Sequence, residues 1–232
     1  MEFGVLHLPT SPAELPSAMW NELTVNRVLV VVAAVLAVLV LRDYVRLVPL
    51  LAGCLLRERG NVEIEHSVSQ ARNRNRCSMA GLFILCLLGS RYNLYPAGFM
   101  QRIPVSWHAG VLAGVMAAFL LLRKMLSVLS DPLTRKKLDS EMRGAVHHAL
   151  YNYFLVMLPV ILVSTALFWI FRAQDGPIRY SIWAELIVCL VFAWFRTGQI
   201  LRSRYSVLQT FLYLCGLELL PVAALVACAV FL

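Results

Sequence analysis

Charge is what this sequence has least of. Only 15% of its 232 residues are Asp, Glu, Lys or Arg, against 60% hydrophobic residues and a mean hydropathy of +0.73. A water-soluble domain carries about a quarter of its residues charged, so this composition excludes one and implies an integral membrane protein. Residues 1 to 23 hold Glu2, Glu14 and Glu22, three prolines and no Lys or Arg. A secretory signal peptide needs a basic start, so this segment is expected to be a short acidic tail. The sequence also has no CxxC and no Cys/His cluster at metal-ligand spacing. Its six cysteines (Cys54, Cys77, Cys86, Cys189, Cys215 and Cys228) fall in apolar runs or in segments assigned to the cytoplasm. They are read as packing residues or reduced thiols, and neither a disulfide framework nor a structural zinc is expected.

What the sequence does have is a series of apolar runs. A helix needs about 20 apolar residues to cross a bilayer core of roughly 30 Å. Runs near that length lie at about 24–41, 78–95, 105–122, 151–171, 180–200 and 207–232. The expected fold is all-α: after the tail, a single polytopic bundle over 24–232 with six transmembrane helices and one or two short interfacial helices on the cytoplasmic side. Residues 44–56 include Pro49 and Gly53 and offer only about ten apolar positions, a rise of about 15 Å. They are expected to lie in the interface or to re-enter, not to span. Ser130, Asp131 and Pro132 look like the cap and first turn of a surface helix.

Basic residues fix an orientation. The segments after the first, third and fifth spans carry 7, 6 and 3 Lys or Arg, 16 of the 21 in the chain, whereas Arg27, Arg91, Arg102, Arg172 and Arg179 fall on the other side. The positive-inside rule then makes those three segments cytoplasmic and both termini periplasmic. This asymmetry accounts for the pI of about 9.5, and no nucleic-acid partner is expected. Arg72, Arg74 and Arg76 alternate with Asn73 and Asn75, and Arg135, Lys136 and Lys137 form a second cluster. Beside membrane helices both are topology signals first, with anionic lipid headgroups as the alternative partner.

Three stretches hold the candidate site residues. In 105–122, Ala109, Ala113 and Ala117 recur at four-residue spacing beside Gly110 and Gly114, a pattern that lets helix backbones approach closely and predicts a place at the middle of the bundle. A substrate gap lined by the glycines is the alternative. In 180–200, Ser181, Glu185, Cys189, Phe192, Arg196, Gln199 and Ser203 follow one another at steps of three and four, one stripe that must face protein or a wet cavity. The run FLYLCGLELLP, Phe211 to Pro221, sets Glu218 near the middle of the last apolar segment, where a charge costs roughly 2.5–3.5 kcal/mol. Pro221, one turn on, frees the Leu217 carbonyl at the same depth. Glu218 is therefore expected to be buried against 180–200, with Arg196 as its charged partner or as a protonated carboxyl with no cation.

No cofactor is expected. Only His108 lies clearly in a span, and the adjacent His147 and His148 point to different helix faces and cannot chelate one metal. No nucleophile and base at a productive spacing stand out.

The exit RDYVRL from the first span, the entry HHALYNYF to the fourth and, above all, RSRYSVLQTFLYLCGLELLP resemble a family of Bacteroidota multi-pass membrane proteins known only as a domain of unknown function. The resemblance covers most of the chain, and Glu218 and Pro221 match its signature positions. It implies an inner-membrane protein of a Gram-negative cell envelope and brings no activity, substrate or cofactor. The leading expectation is a non-catalytic subunit or assembly factor that binds other envelope proteins, with Glu218 and Arg196 as internal polar glue. A small transporter or proton-coupled channel, in which Glu185 and Glu218 face a polar path, is the alternative, though no inverted repeat or paired broken helices support it. A membrane enzyme is the third.

Overall fold

The computed structural model describes residues 20, 22–56, 60–95, 98–130, 140–202 and 205–231. All regular structure among them is helical. Helix α1 (Thr24–Leu56) is followed by the short α2 (Gly60–Glu65) and by α3 (Val68–Arg91). Two 3-10 turns, Gly98–Arg102 and Val105–Trp107, lead into α4 (His108–Ser130). Then come α5 (Ser140–Ile170) and α6 (Asp175–Arg202). The last helix has three parts: α7 (Val207–Leu214), a π-helical segment (Cys215–Leu219) and α8 (Leu220–Phe231).

Four stretches are long and apolar enough to cross a membrane, Thr24–Leu56, Val105–Val128, Gly144–Ile170 and Asp175–Arg202. They support a multi-pass membrane protein, with four such helices among the described residues where six were expected. The two shortfalls have different causes. The first turns of α3 are given over to Arg72, Arg74 and Arg76, and the last helix is interrupted by the π segment.

The stretch 44–56 is not a separate element, because α1 runs through it without a break. Pro49 costs about 3 kcal/mol in a helix interior. Leu47, Leu51 and Cys54 offset that by packing on Ile64, Cys77 and Leu155, at about 1.5–3 kcal/mol for each buried leucine. The basic cluster at 135–137 and the cap at Asp131 and Pro132 lie outside the described residues.

Helices α5 and α6 form the closest pair, an antiparallel hairpin joined through Ile161, Ile178, Ile182, Cys189 and Ala193. Its turn is a Schellman end. Arg172 takes a left-handed conformation (φ 52°), so that Ala173 N–H donates to the Phe168 carbonyl at 2.9 Å and Arg172 N–H to that of Trp169 at 3.1 Å. Asn93 (φ 47°) closes α3 in the same manner, with Leu94 N–H donating to the Gly89 carbonyl at 3.0 Å. The centre of the bundle is α5, not α4: a third of the apolar window of α5 is buried, against 17% for α4 and 11% for α1.

Candidate functional site

Where α1 ends and α3 and α5 begin, a set of buried polar side chains converges. The last carbonyls of a helix have no partner within it. Here side chains from other helices supply one: Tyr153 Oη donates to the Cys54 carbonyl at 3.2 Å, and Arg196 Nη2 donates to the Leu55 carbonyl. Tyr153 Oη in turn accepts from Asn61 Nδ2 at 3.1 Å, and Asn61 Oδ1 accepts from Asn152 Nδ2 at 3.0 Å. Asn61, Asn152 and Tyr153 are each no more than 1% exposed, so these bonds form away from solvent. One turn along α5, Tyr44 Oη donates to the Leu155 carbonyl at 3.1 Å. That is the carbonyl Pro159 leaves without its helical donor.

Beside this relay sit Arg74, Glu65 and His148. Arg74, 1% exposed, pairs with Glu65 through Nη1 and donates through Nε and Nη2 to Asn75 Oδ1 at 3.2 and 3.1 Å. His148 Nδ1 lies 3.2 Å from Glu65 Oε1, an ion-pair distance without hydrogen-bond alignment. Burial pushes the Glu65 carboxyl up, but His148 and Arg74 outweigh it and hold the group below the ordinary carboxylate value. Two glycines permit this packing. A Cβ at Gly60 would lie 2.5 Å from the Gly53 carbonyl, and one at Gly144 would lie 3.0 Å from Glu65 Oε2.

The residues singled out by sequence are placed as follows. Arg196 is half-buried on α6, and its hydrogen bonds go to Gln199 Oε1 at 2.9 Å and to the end of α1. Of Glu218 the structure describes the backbone, in the π segment; its side chain, and with it the expected Glu218–Arg196 pair, lies outside the described residues. Pro221 is buried at the start of α8. The π segment precedes it because the proline ring clashes with the carbonyl four residues back, and the backbone shifts so that Leu220 N–H donates to the Cys215 carbonyl. Glu185 is half-buried; Ser181 Oγ donates to its Oε1 at 3.3 Å, while its Oε2 is buried with no hydrogen-bond partner. Of the rest of the stripe, Ser181, Cys189 and Gln199 follow the expected face, Phe192 is exposed, and Ser203 lies outside the described residues.

The small-residue rows on α4 differ from expectation. Ala109 is buried beside Ala33 and Leu87, but Gly110, Ala113, Gly114 and Ala117 are exposed, and open space surrounds the Cβ positions of Gly110 and Gly114. The reason is a competing row. Leu112, Val115, Met116 and Phe119, also at helical spacing, line the apolar cavity shared with α3, α6 and α8, and their larger surface takes the inward face. His108 is buried with Nε2 at 3.1 Å from the carbonyls of Met100 and Ile103, where it ties down the loop before α4. His147 and His148 meet edge to face. Among the described residues no group of three His, Cys, Asp or Glu stands close enough to hold a metal.

Sequence reasoning missed Tyr44, Asn61, Glu65, Asn152 and Tyr153. A signal was present for two of them, since Asn152 and Tyr153 are polar positions in an apolar run, about two turns before a helix-interior proline. The arrangement binds helices to one another; among the described residues it holds no nucleophile and base in hydrogen-bond contact. The fold and cluster together define an all-helical multi-pass membrane protein locked at one end by buried polar groups. No family model, curated protein or solved structure matches the chain.

Proposed function

We propose that this chain is a non-catalytic membrane subunit or assembly factor of a Gram-negative cell envelope, set in the inner membrane with both termini periplasmic and with six spans. The two beyond the four long apolar helices are α3 and the last helix, each short of a full continuous apolar helix. The observation that carries the reading is how the buried polar groups are occupied: Tyr44, Asn61, Tyr153 and Arg196 bond to each other or to carbonyls that helix ends and Pro159 leave free. Groups so engaged hold helices in register. The orientation and the envelope placement rest on the basic segments and on the resemblance of the runs around Tyr44, Asn152 and Glu218.

The test is purification from native membranes after mild crosslinking. A stoichiometric membrane partner is expected. Recovery of the chain alone, free of any partner, would overturn the accessory role. Reporter fusions at Glu14 and Leu232 check the orientation, and cytoplasmic signal from either end defeats it.

The carboxylate on α6 favours a second reading. Glu185 Oε2 is buried with no hydrogen-bond partner, and Trp183 and Leu186 beside it line the apolar cavity. A proton-coupled transporter uses such a group, together with Glu218, along a polar path. Proton uptake by proteoliposomes that disappears in Glu185→Gln, with the fold retained, would select this reading over the first.

A further inference from the structure

The groove between α1 and α3 is sorted by polarity along its length. It encloses about 650 Å³. Leu36 and Leu39 of α1 face Met79 and Phe83 of α3 across its apolar part, whereas Arg72, Asn75 and Arg76 stand with Asp43 at one end. The helices run antiparallel, and the approach of Cys77 Sγ to the Val40 carbonyl at 3.8 Å fixes their register. From Leu36 to Asp43 the groove follows α1 for roughly 10 Å at the helical rise.

The Arg/Asn repeat thereby divides into two functions. Arg74 turns inward to Glu65, while Arg72 and Arg76, one turn apart, are exposed on the outer face. Arg76 is 62% exposed and lies 4.0 Å from Asp43, the outer limit of an ion pair. Arg72 has no acidic partner among the described residues. Two guanidinium groups against one carboxylate leave one positive charge at the groove's end, at the level where the apolar part of α1 gives way to Arg42 and Asp43.

We propose that this groove binds one anionic phospholipid, with its phosphate on Arg72 and Arg76 and an acyl chain between Leu36, Leu39, Met79 and Phe83. An amphiphile with a single negative head matches both parts: the guanidinium forks suit a phosphate, and the apolar walls suit a chain. A second helix laid in the groove would cover the walls and leave the arginines unmatched. The inference needs a membrane-spanning chain but not the accessory role, so either can fail alone.

The test is native mass spectrometry of the purified full chain in a neutral maltoside detergent, with added phosphatidylglycerol or phosphatidylcholine of identical chains. Wild type is expected to retain phosphatidylglycerol preferentially, and Arg72→Gln/Arg76→Gln to lose that retention by about fivefold per arginine. Arg72→Lys/Arg76→Lys should keep part of it. Met79→Trp, a change at a site 67% exposed, should fill the groove and reduce retention without altering charge. Equal retention of the two lipids by wild type, or undiminished phosphatidylglycerol binding in the Gln variant, overturns the proposal. Loss of phosphatidylglycerol to competing inorganic phosphate, with Met79→Trp unaffected, would show a free-anion site instead. A wild-type dimer that Met79→Trp dissociates would show a second copy in the groove.

Discussion

Two regions of the bundle answer the same problem, a backbone carbonyl deprived of its donor, by different means. Where α1, α2, α3, α5 and α6 meet, a side chain from another helix reaches the carbonyl: Tyr44 takes that of Leu155, and α5 continues as a regular helix past Pro159. At Pro221 the backbone itself changes, moving to five-residue hydrogen bonding over Cys215–Leu219. The same residue type therefore leaves one helix regular and re-registers another. What a proline does depends on which donor stands at its depth, and that is a property of the neighbouring helix.

The comparison breaks most severely if the polar region can lose a charge at no cost. Arg74→Leu leaves Glu65, 12% exposed, without its arginine partner and should destabilise by about 3–5 kcal/mol, read as a fall in Tm of the detergent-solubilised protein. A loss below about 1 kcal/mol would show that the pair is not buried in solution.

A smaller effect sharpens it. Tyr44→Phe should cost about 1 kcal/mol in the wild type and close to nothing with Pro159→Ala, because alanine returns a backbone donor to the Leu155 carbonyl. Equal costs in both backgrounds would mean that Tyr44 does not compensate for the proline.

Acid gives a further test. The Glu65 carboxyl titrates lower in the folded chain than in the unfolded one, so its contribution is complete above the unfolded carboxylate value of about 4.3 and is lost as pH falls through the folded value. Stability should fall in that acidic window for wild type, and less steeply for Glu65→Gln. The smallest effect is expected on α4, outside both regions. Gly114→Leu, at an exposed position with open space around it, should change stability by no more than about 0.5 kcal/mol. A loss well beyond that would mean that another chain packs on the small-residue face of α4.

The class of the fold and most helix positions were legible because apolar runs are local. The α6 stripe was legible too, since Ser181, Glu185, Cys189, Arg196 and Gln199 take their common face from helical periodicity alone. The continuation of α1 to Leu56 was not, because it depends on Ile64 and Leu155, which the chain brings to Leu47 and Leu51 only on folding. The face of α4 was misjudged because two rows at the same spacing competed, and spacing carries no information about which one meets a neighbour. The cluster was hidden by distance: Tyr44 and the carbonyl it serves are 111 residues apart. Glu218, prominent in the sequence, keeps its expected role as a proposal.

The 33 residues of α1 carry one more consequence. At the helical rise they extend about 50 Å, against a hydrocarbon layer of about 30 Å. Hiding the whole rod would take a tilt of about 50°, beyond the range of up to about 40° that such helices adopt. With Arg42, Asp43 and Arg46 in its second half, the overhang falls to its final turns, at the end where α2, the start of α3 and the start of α5 gather. Asn61 and Asn152, costly in oil, are buried around this overhang, so the polar lock of the bundle stands at the edge of the hydrocarbon layer and not in it.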